Sequence, residues 1–157
     1  MNIKLITVGK TDSEHVKVGT ELYTKRIKRY INFDILAIPD LKKSKKRSEE
    51  VQKEQEGKLI LENLQAGDFL VLLDENGKEL RSVDFAEYIQ KRMNSGIKQL
   101  VFVIGGPYGF SEDVKERCNY KLSLSKMTFS HQLVRVLFAE QLYRAFSIIK
   151  GEPYHHE

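Results

Sequence analysis

The sequence predicts an α/β fold built on a parallel sheet, and two observations carry that prediction. Short apolar runs rich in β-branched residues recur at 3–8, 33–38, 69–73 and 100–104. Segments with the apolar spacing of amphipathic helices separate these runs, which is the alternation of βαβ units. With 157 residues, the chain is expected to form one domain over residues 1–157 with a sizeable core.

The first strand, 3–8, is followed by a helical pattern over 13–30 and by the second strand, 33–38. Strand, helix and strand within about thirty residues form the βαβ unit of a parallel sheet. The side chains that give the helix its spacing are Val16, Tyr23, Ile27 and Tyr30.

A basic segment follows at 41–48, where the sequence LKKSKKRS has five basic residues in eight. Such a segment neutralises phosphates in nucleic-acid-binding proteins, although basic runs are also common in solvated loops. The net charge of +4 is compatible with an anionic partner and does not require one.

Two elements fill the middle of the chain. Ser48 is the expected N-cap of a polar helix to about residue 64, in which Gly57 costs about 1 kcal/mol relative to alanine. The third strand, 69–73, is closed by Asp-Glu-Asn-Gly at 74–77. Asn-Gly favours a tight turn, and we expect these residues to turn the chain rather than to begin a hairpin.

A helix with Ser82 as its expected N-cap leads to the stretch 100–113, LVFVIGGPYGFSED. Its apolar strand ends at glycines, and Ser111 then predicts the start of another helix. Open α/β sheets bind ligands at such strand ends, where glycine lets a ligand approach the backbone. Taken alone, such a stretch is more often an ordinary turn than a ligand site, and its spacing is not GxGxxG.

The end of the chain predicts a last strand around 122–124 and a final helix over 131–150. A polar connector, residues 125–131 with the sequence SKMTFSH, joins them. The helix is apolar well beyond one face, so it is either deeply buried or half of a subunit interface. The histidine-containing tail, residues 151–157, is expected to be frayed, as isolated tails commonly are.

The composition excludes several classes of protein. Nothing approaches 18 consecutive apolar residues, and the chain enters a strand pattern directly, so we expect neither a membrane span nor a signal peptide. The single cysteine, Cys118, excludes an internal disulfide and a multi-cysteine zinc site, and no metal site is expected. These features fit a reducing, cytoplasmic location.

Three motifs together resemble the RlmH family of SPOUT methyltransferases: IGGPYGF after a strand, LSLSKMTFSHQLVRVLFAEQLYRAFSI, and the terminal PYHHE. The resemblance covers essentially the whole chain. It implies a parallel-sheet SPOUT fold with a deep trefoil knot in the C-terminal part, working as a homodimer. It also implies S-adenosylmethionine-dependent methylation of N3 of a pseudouridine in large-subunit (23S) ribosomal RNA, on the assembled ribosome.

The same resemblance places the cofactor site on three stretches: the end of the third strand, the glycines after the fourth, and the connector. Ser130 stands where the family generally has proline, and His156 where we expect arginine or lysine. The residues implied to bind the cofactor are Leu73, Gly105, Gly106, Ser125, Lys126, Met127, Thr128, Phe129 and Ser130.

Three residues near the C-terminus are candidates for the chemistry. A base near the imide N3 helps because the imide is largely protonated near neutrality, and His155 is the candidate. Arg144 is the candidate for orienting the RNA or stabilising its charge, and Tyr154 for stacking on a base. Structural roles stay open, since Arg144 also forms an i, i+4 pair with Glu140. Tyr154 also suits packing of the tail, and we expect His131 to cap the final helix.

Two other classes of function stay open. A SPOUT enzyme that acts on transfer RNA would share the cofactor loops, although the PYHHE tail argues against it. A non-catalytic RNA- or ribosome-binding protein would explain the charge and the basic segment. It would not explain why a glycine-rich loop and a hydroxyl-rich loop follow neighbouring strands.

Overall fold

The computed structural model describes residues 1–41 and 47–157, and its centre is a five-stranded sheet. All pairings in this sheet are parallel, in the order β2-β1-β4-β3-β5, which confirms the predicted parallel α/β fold. Most of the predicted basic segment, residues 42–46, lies outside the described residues. The strands are β1 (Asn2–Val8), β2 (Phe33–Ile38), β3 (Phe69–Glu79), β4 (Gln99–Ile104) and β5 (Tyr120–Ser123).

Helices cover both faces of the sheet. One apolar cluster joins strand side chains to α1, α3 and α5, and a second joins the opposite strand face to α2 and α4. Because both faces are covered, the central strands are continuous apolar runs rather than alternating ones. The helices are α1 (Glu14–Ile27), α2 (Glu49–Glu62), α3 (Ser82–Asn94), α4 (Glu112–Arg117) and α5 (Leu133–Ile149).

Gly57 lies inside an unbroken α2, and its place is explained by packing. A Cβ on Gly57 would lie 2.2 Å from the Ser111 side-chain oxygen at the start of α4. The glycine therefore permits close contact between α2 and α4. Both predicted caps of these helices are confirmed, since the Ser48 hydroxyl accepts from the Val51 amide and that of Ser111 from the Val114 amide.

The expected turn at 74–77 is wrong. β3 continues to Glu79. Leu73 pairs with Leu122 of β5, and after a bulge Lys78 pairs with the same residue, still in parallel. A Cβ on Gly77 would lie 2.7–2.8 Å from the β5 backbone. Glycine at this position therefore admits the neighbouring strand, which is one of the uses of glycine at a bulge.

The final helix α5 packs along α1 and α3 and buries Phe138 and Leu142 completely. Ser82 is the first residue of α3 rather than its N-cap, and its hydroxyl donates to Gln141 of α5 at 2.8 Å. The outer side of the α1–α5 pair keeps apolar side chains exposed, with Leu133 41% exposed. Across the described residues, we find no helix with the length and apolar character needed to cross a membrane.

Candidate active site

A cleft of about 810 Å³ opens beside the bulge of β3 and the end of β4. Leu73, the glycine turn (residues 105–109) and the connector meet there, so the structure brings together the three stretches singled out from the sequence. Lys126 is the exception, because it does not line the cleft and its ammonium lies 3.8 Å from the Glu79 carboxylate. The predicted residues that line the cleft are Leu73, Gly105, Gly106, Ser125, Met127, Thr128, Phe129 and Ser130.

Side chains packed behind the glycine turn help to fix its shape. The Gly109 amide donates to the Gly106 carbonyl at 3.2 Å, and Gly109 has a φ of +80° that favours glycine. A Cβ on Gly106 would lie 2.4 Å from a Glu56 carboxylate oxygen, and one on Gly105 would lie 3.0 Å from the Phe110 ring. The requirement for glycine at 105 and 106 therefore comes from packing behind the turn as well as from access in front of it.

Glu56 and its neighbour Gln52 were not found by sequence reasoning. Glu56 is 2% exposed and accepts a hydrogen bond from the Gln52 side-chain amide at 3.0 Å. In the sequence the two residues look like one more i, i+4 polar pair on a solvated helix. Only the packing of α2 behind the glycine turn identifies them as buried support for the cleft.

The connector is held in shape by hydrogen bonds of its own hydroxyl groups. The Ser125 hydroxyl accepts from the Met127 amide at 3.0 Å, and the Thr128 hydroxyl donates to Glu75 of the β3 extension at 3.4 Å. The Ser130 hydroxyl accepts from the Leu133 amide at 3.0 Å. Capping of α5 thus comes from Ser130 and not, as expected, from His131, and it gives the Ser130 hydroxyl a structural use.

Among the described residues, the cleft is lined by more acidic than basic side chains. Carboxylates come from the first turn of α2 and from the β3 bulge, whereas the lysine at the α2 end is already paired with Glu50 at 3.0 Å. Such a lining favours a ligand that carries positive charge. The charged residues are Glu49, Glu50, Lys53, Asp74, Glu75 and Lys115.

The three predicted catalytic residues also come together, but in a different place. Arg144 pairs with Glu140 through two nitrogens, at 2.5 and 3.1 Å from the same carboxylate oxygen. The Tyr154 hydroxyl donates to that oxygen at 2.9 Å, and His155 Nδ1 lies 3.2 Å from Arg144 Nη1. We call Glu140, Arg144, Tyr154 and His155 the tail cluster; none of them lines the cleft.

The electrostatics of the tail cluster keep Arg144 charged and Tyr154 neutral. The hydrogen bond with Glu140 raises the pKa of Arg144 further. Burial, followed by hydrogen bonds with Tyr23 and Glu140, raises the pKa of the Tyr154 hydroxyl. Because a guanidinium only donates, His155 Nδ1 accepts from Arg144 and we place the imidazole proton on Nε2.

The tail is packed against the domain, so the expectation that it is frayed is wrong. The Tyr30 hydroxyl donates to Glu152 at 2.5 Å, and Arg81 pairs with Glu157 at 2.6 Å. The hydrogen bond with Glu152 raises the pKa of Tyr30 to about 12. The ring of Tyr154 packs edge-on against Tyr143, with 4.6 Å between the ring centroids.

Sequence reasoning also missed Arg135, which is the largest fully buried side chain of the described residues. A signal was available, because position 135 is in phase with the buried positions Phe138 and Leu142 of α5. An arginine on a buried stripe needs partners. Across the described residues, no three histidine, cysteine or acidic side chains are grouped in a way that could hold a metal ion.

Comparisons with known proteins agree with the geometry. A family model described as "Predicted SPOUT methyltransferase" matches residues 1–155. The chain is 60% identical over 156 residues to a protein of Christiangramia forsetii named "Ribosomal RNA large subunit methyltransferase H", covering 99% of each chain. It is 59% and 55% identical, over the full length of both chains, to proteins of the same name from Flavobacterium johnsoniae and Bacteroides thetaiotaomicron.

A solved structure gives a likeness of fold alone. It is described as a probable methylase family protein from Haemophilus influenzae, with a TM-score of 0.50 and 13% sequence identity. The likeness covers 96% of this chain and 66% of that one.

Proposed function

Because this chain belongs to the SPOUT methyltransferase family, we propose that it methylates large-subunit ribosomal RNA with S-adenosylmethionine as the methyl donor. The proposed target is N3 of a pseudouridine in 23S ribosomal RNA within the assembled ribosome. One observation carries the proposal: Leu73, the glycine turn and the connector meet around one cleft at the carboxyl ends of parallel strands.

The cleft suits S-adenosylmethionine in size and in charge. Its volume of about 810 Å³ is within the range of pockets that enclose small ligands. Asp74 and Glu75 line it, and their carboxylates suit a ligand whose sulfonium and ammonium groups outweigh its one carboxylate. When bound, S-adenosylmethionine supplies a methyl group on a positively charged sulfur. The backbone of the glycine turn and of the connector would hold it, and we propose that the connector is threaded in a deep trefoil knot.

The separation of the tail cluster from the cleft supports a site built by two chains. We propose a homodimer in which the tail cluster of one copy faces the cleft of the other. Apolar side chains exposed on adjacent helices offer a surface for this contact: Val18 (58% exposed) and Leu22 (44%) on α1, and Leu133 on α5. Sedimentation of the wild type as a dimer, and of Leu133→Glu as a folded monomer, is the expected result.

In this arrangement the tail cluster serves the RNA nucleotide. Holding nucleophile and methyl donor in line can supply roughly 7–11 kcal/mol of the barrier. Arg144, kept charged by Glu140, is suited to stabilise the anionic imide, and Tyr154 to stack on the base for about 1–3 kcal/mol. A base role for His155 requires its Nδ1 to release Arg144; otherwise its Nε2–H donates to the nucleotide.

The proposed function is tested with ribosomes from a strain that lacks the corresponding gene. The purified protein, given S-adenosylmethionine, is expected to add one methyl group to 23S RNA, mapped by mass spectrometry to N3 of a pseudouridine. Methylation of transfer RNA instead would favour the other SPOUT class. Ribosome binding without S-adenosylmethionine binding or methyl transfer would favour a non-catalytic binding protein.

A further inference from the structure

Arg135 is 1% exposed, on the first turn of α5 and directly next to a residue that lines the cleft. Neither the cleft nor the tail cluster uses it. Burial lowers its pKa, and the charges of Asp12 and Asp40 act in the opposite direction. Burying a guanidinium costs free energy unless its donors are satisfied, so its contacts indicate what it is for.

The guanidinium joins the end of β1 to the start of α5. Its Nη2 donates to the Val8 carbonyl at 2.9 Å, and its Nη1 to the Gly9 carbonyl at 3.0 Å and the Thr11 hydroxyl at 3.1 Å. Its Nε donates to the carbonyl of His131, the last residue of the connector, at 3.0 Å. The planar guanidinium of Arg135 therefore hydrogen-bonds both the connector and the end of β1, which are more than a hundred residues apart in the chain.

Gln132 repeats the same connection beside it. Its carboxamide oxygen accepts from the Asp12 amide at 3.1 Å, and its nitrogen donates to the Lys10 carbonyl at 3.1 Å. Between them, Arg135 and Gln132 bond every residue from Val8 to Asp12. Two side chains thus hold the end of β1 and most of the segment that leads to α1, here called the β1–α1 loop (residues 8–12).

We propose that Arg135 is a positioning residue that holds the connector and the β1–α1 loop as one unit, so that ligand binding in the cleft also orders the β1–α1 loop. His131 and Val134, in the same turn as Arg135, line the cleft, so a shift of this turn changes the cleft directly. The proposal rests on the proposed function only for the identity of the ligand, S-adenosylmethionine.

The test compares Arg135→Lys with a matched control, Arg117→Lys. Lysine keeps the charge but has its three donors on one atom, so it cannot span four acceptors. Arg117 also donates to backbone carbonyls, those of Gln65 and Asp68, but at the opposite, amino ends of the strands. Amide hydrogen exchange, with and without S-adenosylmethionine, and calorimetric affinity are measured for both variants and the wild type.

In the wild type, S-adenosylmethionine is expected to slow exchange in the connector and in the β1–α1 loop together. Arg135→Lys is expected to speed exchange in both segments without ligand and to weaken affinity roughly tenfold. It should also abolish ligand-induced protection of the β1–α1 loop. Arg117→Lys is expected to keep wild-type affinity and the joint protection.

Equal loss of affinity in both variants, or unchanged exchange in either segment of Arg135→Lys, would overturn the proposal. If Arg135→Lys does not fold, Gln132→Ala is measured instead, because it removes two of the hydrogen bonds to the β1–α1 loop. The proposal then requires faster exchange in both the connector and the β1–α1 loop, and faster exchange in the β1–α1 loop alone would overturn it. If the wild type does not bind S-adenosylmethionine, the proposed cofactor is wrong, and exchange without ligand still tests the connection.

Discussion

The cleft and the tail cluster lie towards opposite ends of α5, a helix roughly 25 Å long, and they are built in different ways. Backbone turns form much of the cleft, and their shape depends on what packs behind them, as Glu56 does behind Gly106. Side chains form the tail cluster, and they bond to one another around the Glu140 carboxylate. The cleft is therefore suited to enclose a ligand, and the tail cluster offers charged and aromatic side chains to a second molecule.

The largest effect is expected when the part of the tail cluster that lies in the tail is removed and the cleft is left intact. Truncation after Glu152 deletes Tyr154 and His155 but keeps the Glu140–Arg144 pair and the Tyr30–Glu152 hydrogen bond. We expect methylation of ribosomes to fall by two orders of magnitude or more, because positioning at the nucleotide is lost. Affinity for S-adenosylmethionine, measured by calorimetry, is expected to stay within about twofold. Methylation at the wild-type rate would show that Tyr154 and His155 have no part in the reaction.

A substitution in the cleft is expected to do the reverse. In Gly106→Val, the new side chain collides with Glu56 and pushes the glycine turn towards the ligand. We expect a loss of S-adenosylmethionine affinity of at least about tenfold in a folded protein. Gly67→Val is the control, since nothing lies within 4 Å of a Cβ at that position. Unchanged affinity in Gly106→Val would place the cofactor elsewhere.

The role of His155 is sharpened by comparing glutamine with alanine. The glutamine carboxamide can accept from Arg144 and donate a hydrogen bond, as the observed imidazole does, so we expect His155→Gln to stay within a few-fold of the wild-type rate. His155→Ala is expected to be slower. If glutamine behaves like alanine, and both lose more at pH 6.5 than at pH 9, where more of the imide is ionised, His155 is the base predicted from the sequence.

A smaller effect is expected where β3 supports the connector. Gly77→Ala places a methyl group against the β5 backbone and should cost about 1–3 kcal/mol of the free energy of unfolding. Thermal unfolding is expected to shift down by several degrees. Ser95→Ala, a surface change at the end of α3, is the control. An unchanged midpoint for Gly77→Ala would mean that the bulge is free to open.

The smallest effect concerns how the tail is held, and it depends on pH. The pKa of Tyr30, normally 10.0, is raised to about 12, mainly by its hydrogen bond with Glu152. This contribution to stability is complete below pH 10 and is lost as the pH rises through 12. Wild type is therefore expected to lose stability relative to Tyr30→Phe over that interval, measured by denaturant unfolding. A constant difference between the two proteins would contradict this contact.

The apolar runs and the strand-end glycines are local signals, and they were sufficient to predict the succession of strands along the chain and the glycine turn. That Leu73, Gly105 and the connector belong to one site was implied only by the resemblance to the SPOUT methyltransferases. The β3 extension could not be predicted in this way, because Asn-Gly signals a turn unless a neighbouring strand pairs with it.

The residues that support the cleft from behind could not be predicted from the sequence either. Glu56 lies in a polar helix, and Arg135 lies in an apolar one, so neither pattern identifies its partners. Only tertiary packing brings α2 behind the glycine turn and the end of β1 against α5. The tail was misjudged for the same reason, since its contacts with Tyr30 and Arg81 are far away in sequence.

The central claim, that the cleft of one chain works with the tail cluster of another, is tested most directly by mixing two inactive proteins. One is Gly106→Val, with a damaged cleft and an intact tail; the other is truncated after Glu152, with an intact cleft. Co-expressed chains should form mixed dimers in which one of the two sites is complete. We therefore expect about a quarter of the wild-type methylation rate. If each chain used its own tail, the mixture would be as inactive as its two components.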